Sequence, residues 1–413
     1  MNTITKTYRR LLEDGSIRLE TCVMTADSER VFYAELSGIV QLDAITDLMD
    51  PWLRCLVFEL IAVGGKWRIE GRVSKSCLRN TQRLMEYWNS IEPTKCKVAE
   101  IMPDEVVDDN SVAINDLAIL PFSGGLDASF TAYRYSHQLA GHKNLNIETA
   151  MMVHGADIPL ADEDFFDRSL EINREMLADL GVFNMVVIKT NYREQCNSLF
   201  TWGYYTHMCV IVGLASFLSN WCSNIVMGSA YPYAETNLHW GCNPISDYML
   251  SSRSFVLHED DFALSRTQKA ELVSRWSFGM ERLRVCCDAV FDKSDKLNCG
   301  YCEKCTRTIM NFQACGVQLP NMRKLSPVDV LFAHGIRGLC SEYKTIVEFV
   351  ERRGPTPAWI KVLKLKIGIA KLLYACPFLL KKVINKCLYI YAIIVYKTEW
   401  QRGKFLKDRY IPY

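Results

Sequence analysis

Hydrophobic and polar positions change period along this chain, and the changes mark out three stretches. Over residues 1 to about 110 the pattern is mixed. Arg30–Leu36 reads as a strand, and Lys66–Val73 alternates with period 2, the signature of a strand with one buried face. Leu56–Val63 is a largely apolar run that predicts a buried strand, and Asn80–Ser90 has helical character. Pro103–Asn110 is acidic and reads as a weakly ordered linker. These elements predict a small N-terminal α+β domain over 1–110, a unit that caps or dimerises the rest.

From Asp116 onward strands and helices alternate. Strands are expected at Leu117–Phe122, Ile147–Val153, Met185–Thr190 and Asn224–Met227. Helices are expected at Ser129–Ala140, Asp162–Leu180 and Tyr204–Leu218. Such alternation predicts an α/β fold, a parallel sheet sandwiched by helices, over 111–320. Ligands of these sheets sit beyond the C-terminal strand ends. Three such ends bring polar or glycine residues to one rim: Ser123-Gly124-Gly125 after the first strand, Asp157 after the second, and Gly228-Ser229-Ala230 after the last.

The third stretch, 321–413, predicts a helical C-terminal extension. Ile360, Leu363, Ile367, Ala370, Leu373 and Tyr374 fall at helical spacing, flanked by Lys361, Lys364 and Lys371, and Pro377 is expected to break the helix. Two readings fit: an amphipathic segment on an anionic membrane surface, or a helical hairpin packed on the body or a protein partner. The second is preferred.

Composition narrows the classes. The chain has 413 residues, 49% hydrophobic and 23% charged, as in globular proteins, and a net charge of +1 gives no global signal for nucleic acid. The charge is unevenly spread: Pro355 to the end carries 12 Lys/Arg against 2 Asp/Glu, so a basic tail follows an acidic body. No run reaches the roughly 18 to 20 apolar residues of a membrane-spanning helix. The N-terminus lacks the apolar core of a signal peptide, and most of the 17 cysteines are scattered. A reduced, cytoplasmic protein with its clustered cysteines on a metal is expected.

Two motifs carry chemistry. Ser123-Gly124-Gly125-Leu126-Asp127-Ala128-Ser129 lies between an expected strand and helix. Adjacent glycines let backbone N–H groups approach an anion, and the helix N-terminus adds its dipole. No lysine follows the glycines, so this is not the G-x-x-x-x-G-K-[ST] loop. The second motif is Cys299-x-x-Cys302-x-x-Cys305, with Cys286-Cys287 upstream. Four thiolates make a closed tetrahedral Zn²⁺ site, to which one of Cys286 and Cys287 contributes. Three alone would suit a [4Fe–4S] cluster with an open iron.

Ser123-Gly124-Gly125-Leu126-Asp127 resembles the Ser-Gly-Gly-x-Asp-Ser signature of the PP-loop ATP pyrophosphatases (the adenine nucleotide alpha hydrolase-like fold), with Ala128 where relatives carry a hydroxyl. Together with the cysteine cluster, Gly228-Ser229-Ala230-Tyr231-Pro232 and Lys269-Ala270-Glu271-Leu272-Val273, the chain from Asp116 to Gly316 is similar to 7-cyano-7-deazaguanine synthases. Trp240-Gly241-Cys242-Asn243-Pro244, His258-Glu259-Asp260 and Ser265-Arg266 look more like the longer synthase-like proteins of bacterial antiviral defence systems. Arg284-Val285-Cys286 resembles the run before the first zinc ligand, which favours Cys286 over Cys287.

The resemblance implies an ATP-dependent C–N ligase releasing AMP and pyrophosphate. A deazapurine-like carboxylate would be adenylated and attacked by ammonia or an amine. Gly124, Gly125, Leu126, Asp127, Ala128 and Ser129 would hold ATP, with Ser123, Asp157 and Gly228 beside them. Asp127 would hold Mg²⁺, Arg266 and Lys269 would neutralise developing charge, and His258 would act as general base. Tyr231, Tyr233 and Trp240 would wall a planar substrate. The alternatives are tRNA thiolation on the same fold, or a zinc-stabilised scaffold that has lost catalysis.

Overall fold

The computed structural model describes residues 1–38, 41–235, 240–286, 297–333, 340–374, 386–387 and 389–390. The chain divides into two compact units: Met1–Ser123 with Thr131–Ala263, and Gly124–Phe130 with the residues from Leu264 onward. Among the described residues no helix is long and apolar enough to cross a membrane.

The first unit is α/β, built on one eleven-stranded, mostly parallel sheet. Its strands are β1 (Asn2–Ile4), β2 (Tyr8–Leu11), β3 (Ile17–Met24), β4 (Glu29–Ser37), β5 (Gly65–Ser74) and β6 (Ala99–Val107), then β7 (Leu117–Pro121), β8 (Asn146–His154), β9 (Met185–Thr190), β10 (Asn224–Gly228) and β11 (Val256–Asp260). They lie in the order β11-β10-β7-β8-β9-β4-β3-β1-β5-β6, with β2 on β3. The run from β11 to β9 is wholly parallel, as the alternating pattern predicts. Helices of this unit include α1 (Asp50–Cys55), α2 (Val57–Val63), α3 (Lys75–Ile91), α5 (Glu163–Asp179) and α7 (His207–Ser216). Between them in sequence come α4 (Leu126–Ser136), which straddles the division, and the single turn α6 (Tyr192–Gln195).

The first 110 residues do not form a sheet of their own. Strand β4 pairs antiparallel with β9, Ala34 opposite Thr190 and Ser37 opposite Val187, so the N-terminal strands extend the parallel half. One buried core runs through both halves, with Trp52, Phe58 and Trp88 beside Phe200 and Phe217. Edge-to-face contacts join Trp52 to Phe217, and Phe58 tilts against Phe200 at 5.0 Å.

Two expected elements are otherwise than the pattern suggests. Leu56–Val63 is not a strand but contains helix α2, ended by Gly64 at a φ of 67°. Its one charge, Glu59, is buried and paired with Arg30 at 2.7 Å, so a helix buried from Val57 to Ile61 mimics a buried strand in sequence. Pro103–Asn110 is not a linker throughout, because residues 103–107 belong to β6. Pro103 is tolerated there because β6 is the edge strand, and Asp104 accepts hydrogen bonds from Arg68 and the Gly71 amide. The sequence also missed β11, which carries His258, Glu259 and Asp260.

The second unit is helical: α8 (Arg266–Val273), α9 (Ser277–Arg282), α10 (Glu303–Ala314), α11 (Pro327–Phe332), α12 (Cys340–Glu351) and α13 (Ala358–Tyr374), with the first turn of α4. Leu126 and Phe130 of α4 share its core with Ile309, Phe312, Tyr343 and Ile360. Ile360, Leu363 and Ile367, the apolar stripe expected on α13, are buried in that core, so this part of the stripe is not a membrane face. Pro377 and most of the basic tail lie outside the described residues.

The shared core and the β4–β9 pairing make a definite prediction. A protein of residues 111–413 exposes the edge of β9 and should be insoluble or unfolded, as circular dichroism and size-exclusion chromatography would show. A folded, monomeric fragment would restore the domain boundary expected at 110.

Candidate functional site

Strand β7 ends at Pro121, and the Phe122 amide donates to Met151 O, which holds the chain leaving the sheet. Gly124 follows with a φ of 74°, the left-handed region that favours glycine. The α4 helix then starts, its first intrahelical bond running from Ser129 N–H to Gly125 O. The amides of Leu126, Asp127 and Ala128 therefore lie in the first turn, where helix N–H groups have no intrahelical acceptor. Ala128 is half-buried. Ser129 is fully buried, and among the described residues its hydroxyl has no hydrogen-bond partner. The division of the chain falls inside this segment, with Ser123 in the first unit and Gly124–Phe130 in the second.

Within the second unit, Asp127 is gathered between two cations. Arg266 Nε and Nη2 each lie 3.2 Å from Asp127 Oδ2, and Lys269 Nζ lies 3.6 Å from Oδ1. Both cations come from α8, placed by a capping box in which Ser265 and Gln268 bond reciprocally. Arg266 and Lys269 are i and i+3, on one face of the helix. Lys269 is 1% exposed, and its ammonium lies 5.4 Å from the Phe130 ring centre.

A second layer holds Arg266. Its Nη1 pairs with Glu342 of α12, whose two oxygens each lie 2.6 Å from Arg307 Nη1 of α10. Arg307 also pairs with Glu303, one turn earlier. Burial alone would raise the Glu342 pKa, but Arg266 and Arg307 outweigh it and hold the carboxyl below its ordinary value. The sequence reading named neither Glu342 nor Arg307. Each lies far from the glycine turn in sequence, and neither sits in a recognisable motif.

The cysteine cluster lies in the same unit. Cys286 Sγ is 3.4 Å from Cys299 Sγ and 3.6 Å from Cys302 Sγ, and Cys299 Sγ is 3.9 Å from Cys305 Sγ. A zinc tetrahedron with bonds of about 2.3 Å has sulfur–sulfur edges of about 3.8 Å, whereas a disulfide would need about 2.05 Å. All four sulfurs fall within one ion's reach. Cys302 N–H points at Cys299 Sγ (3.3 Å) and Cys305 N–H at Cys302 Sγ (3.4 Å), donors that favour thiolates. Contact with Cys286 drives the Cys299 thiol far down in pKa and the Cys302 thiol far up. Gly300, at a φ of 80°, makes the tight turn between those two. Cys286 is thus the fourth member of the group; Cys287 lies outside the described residues.

Other expected site residues belong to the first unit. Asp157 is exposed and accepts a hydrogen bond from Trp202 Nε1 at 3.0 Å. The turn before it requires Gly155, where a Cβ would meet Thr190 O at 1.9 Å. Gly228 closes β10, and the next amide, Ser229 N–H, bonds to Asp260 O. Trp240 lies 4.6 Å from Tyr204 and 6.0 Å from Tyr231, while Tyr233 packs on Phe262 instead. His258 sits inside β11, its Nε2 2.9 Å from Asn224 Oδ1 at the opposite, N-terminal end of β10. Burial lowers its pKa.

No protein-family model matches this chain, and neither a curated protein nor a solved structure matches it.

Two tests follow from this geometry. Cys302→Ser should lose the metal of this cluster and lower the thermal midpoint, because a structural metal contributes folding free energy; elemental analysis and calorimetry read both. Glu342→Gln takes the shared carboxylate from half-buried Arg266 and buried Arg307, which keep Asp127 and Glu303, and should cost about 1–3 kcal/mol at neutral pH. A depressed folded-state pKa contributes stability above the unfolded-state value and loses it as pH falls through the folded value. Urea unfolding at pH 7 and pH 3 should therefore show the wild-type advantage shrinking in acid.

Proposed function

We propose that this chain is an ATP-dependent, adenylate-forming enzyme of the PP-loop type, similar to 7-cyano-7-deazaguanine synthase. The observation that carries the reading is Asp127. A carboxylate in the first turn of a glycine-preceded helix draws Arg266 and Lys269 to a point where the triphosphate of ATP would dock. Two cations at a helix N-terminus give the density of positive charge that a departing pyrophosphate needs.

In this reading the substrate carboxylate attacks the α-phosphorus and pyrophosphate leaves. Ammonia or an amine then attacks the acyl carbon, and AMP departs. The amides of the first α4 turn hold phosphate oxygens, Lys269 and Arg266 neutralise them, and Glu342 keeps Arg266 aimed. Mg²⁺ supplies further charge neutralisation when bound, with Asp127 the carboxylate suited to it or its water. Zinc on four cysteines has no open position, so its role is structural. The fourth cysteine also favours zinc over an open [4Fe–4S] cluster, and with it amide or nitrile formation over tRNA thiolation. The longer synthase-like resemblance suits an amine acceptor in antiviral defence.

Purified protein given ATP, ammonia and 7-carboxy-7-deazaguanine should release AMP and pyrophosphate in equal amounts. Asp127→Ala should cut AMP release by about 100-fold or more, and although taking the carboxylate from buried Lys269 lowers the thermal midpoint, circular dichroism and zinc content should hold. Normal turnover by that variant would remove the phosphate site from this turn.

A further inference from the structure

The first unit contains a second group of metal-ligand atoms, far in composition from the four cysteines. Cys242 Sγ, a carboxylate oxygen of Asp247 and one of Glu259 all lie within 4.8 Å of one another. We propose that these three residues hold a divalent, thiolate-tolerant cation, zinc above all, in a site with an open coordination position.

Three features support a cation. The first is spacing: Cys242 Sγ is 3.3 Å from Glu259 Oε1. Zinc bound by sulfur at about 2.3 Å and carboxylate oxygen at about 2.0 Å has a tetrahedral S–O edge of about 3.5 Å. The second is burial. Asp247 is 1% exposed and Cys242 5%, and Glu259 is half-buried. Two carboxylates and a thiolate brought together out of water repel strongly, and one divalent ion answers all three. The donor set is the third. A thiolate beside carboxylates suits a borderline ion such as zinc and not Mg²⁺ or Ca²⁺, which take oxygen alone.

The frame around the group is rigid. Asn243 N–H donates to Asp247 Oδ2 at 2.7 Å and Ser246 Oγ to Oδ1 at 3.2 Å, one donor on each oxygen, which fixes the carboxylate's orientation. Gly241, just before the cysteine, lies so close to Tyr205 O that a Cβ would meet it at 2.5 Å. Glu259 comes from β11, in register with Met227 of β10 and next to the strand end at Asp260. The group therefore lies toward the C-terminal rim of the parallel sheet, two residues from Trp240, where a ligand of such a sheet is found. Three protein donors leave a fourth position for water or a polar ligand, unlike the closed four-cysteine group.

Metal content decides the matter without reference to activity. Tag-free, full-length protein purified from zinc-supplemented medium should carry about two zinc per chain by plasma mass spectrometry, one for each group. Cys242→Ser and, separately, Asp247→Asn should bring this to about one, with near-ultraviolet dichroism unchanged. X-ray absorption at the zinc edge of the wild type should give about 2.5 sulfurs per zinc, the mean of four and one, a reading that does not depend on the variants folding. One zinc per chain with about four sulfurs would overturn the proposal. So would two zinc per chain retained in a folded Cys242→Ser protein.

Discussion

A buried relay of alternating charges organises the second unit: Lys269 and Arg266 on Asp127, Arg266 on Glu342, Glu342 on Arg307, Arg307 on Glu303. It ties the first turn of α4 to α8, α10 and α12, four elements whose apolar residues also share one core. Each charge is costly to bury alone, and each is answered by a neighbour. Removing a member takes a partner from each of its neighbours, so the relay acts as one object. Its outer end is Asp127, 25% exposed at its side chain, while Glu342 at its centre is 7% exposed.

That layout explains what was legible in the sequence. The Ser-Gly-Gly-x-Asp turn and the spaced cysteines are local, and both structures are set by residues within a few positions. Parallel strands β7 to β10 were legible because each is short, apolar and bounded by turn residues. Glu342 was not, since its partner Arg266 lies 76 residues away and its meaning is wholly tertiary. Two misreadings have local causes. An apolar run of eight residues fits a buried strand and a buried helix equally well, and the helix-ending Gly64 was the signal that α2 offered. The acidic residues of β6 suggested a linker, but they decorate an edge strand, where charge discourages pairing with another chain.

His258 illustrates a different gap. A histidine beside two acidic residues suggests proton transfer, yet alternation along β11 sends neighbours to opposite faces. His258 turns to Asn224, while Asp260 pairs with Arg134 and Glu259 approaches Cys242. Three residues that read as one cluster serve three separate partners. Adjacency in a strand is poor evidence of shared chemistry, whereas adjacency across strands or loops, as in Cys242 with Glu259, is invisible until the fold is known.

The two local motifs are also joined to each other. Arg284 N–H donates to Gly124 O at 2.8 Å, pinning the glycine turn from outside. Two residues later Cys286 enters the metal group, and Asn298, one residue before Cys299, accepts from the Val285 and Cys286 amides and donates to Leu283 O. The segment Leu283–Cys286 is therefore clamped at one side by the cysteine group and at the other holds the turn. Without a metal, four close sulfurs must share protons or separate, and separation would shift Arg284 and release the Gly124 carbonyl. A metal held by this closed four-cysteine group would in this way set the geometry of a glycine turn that it never touches.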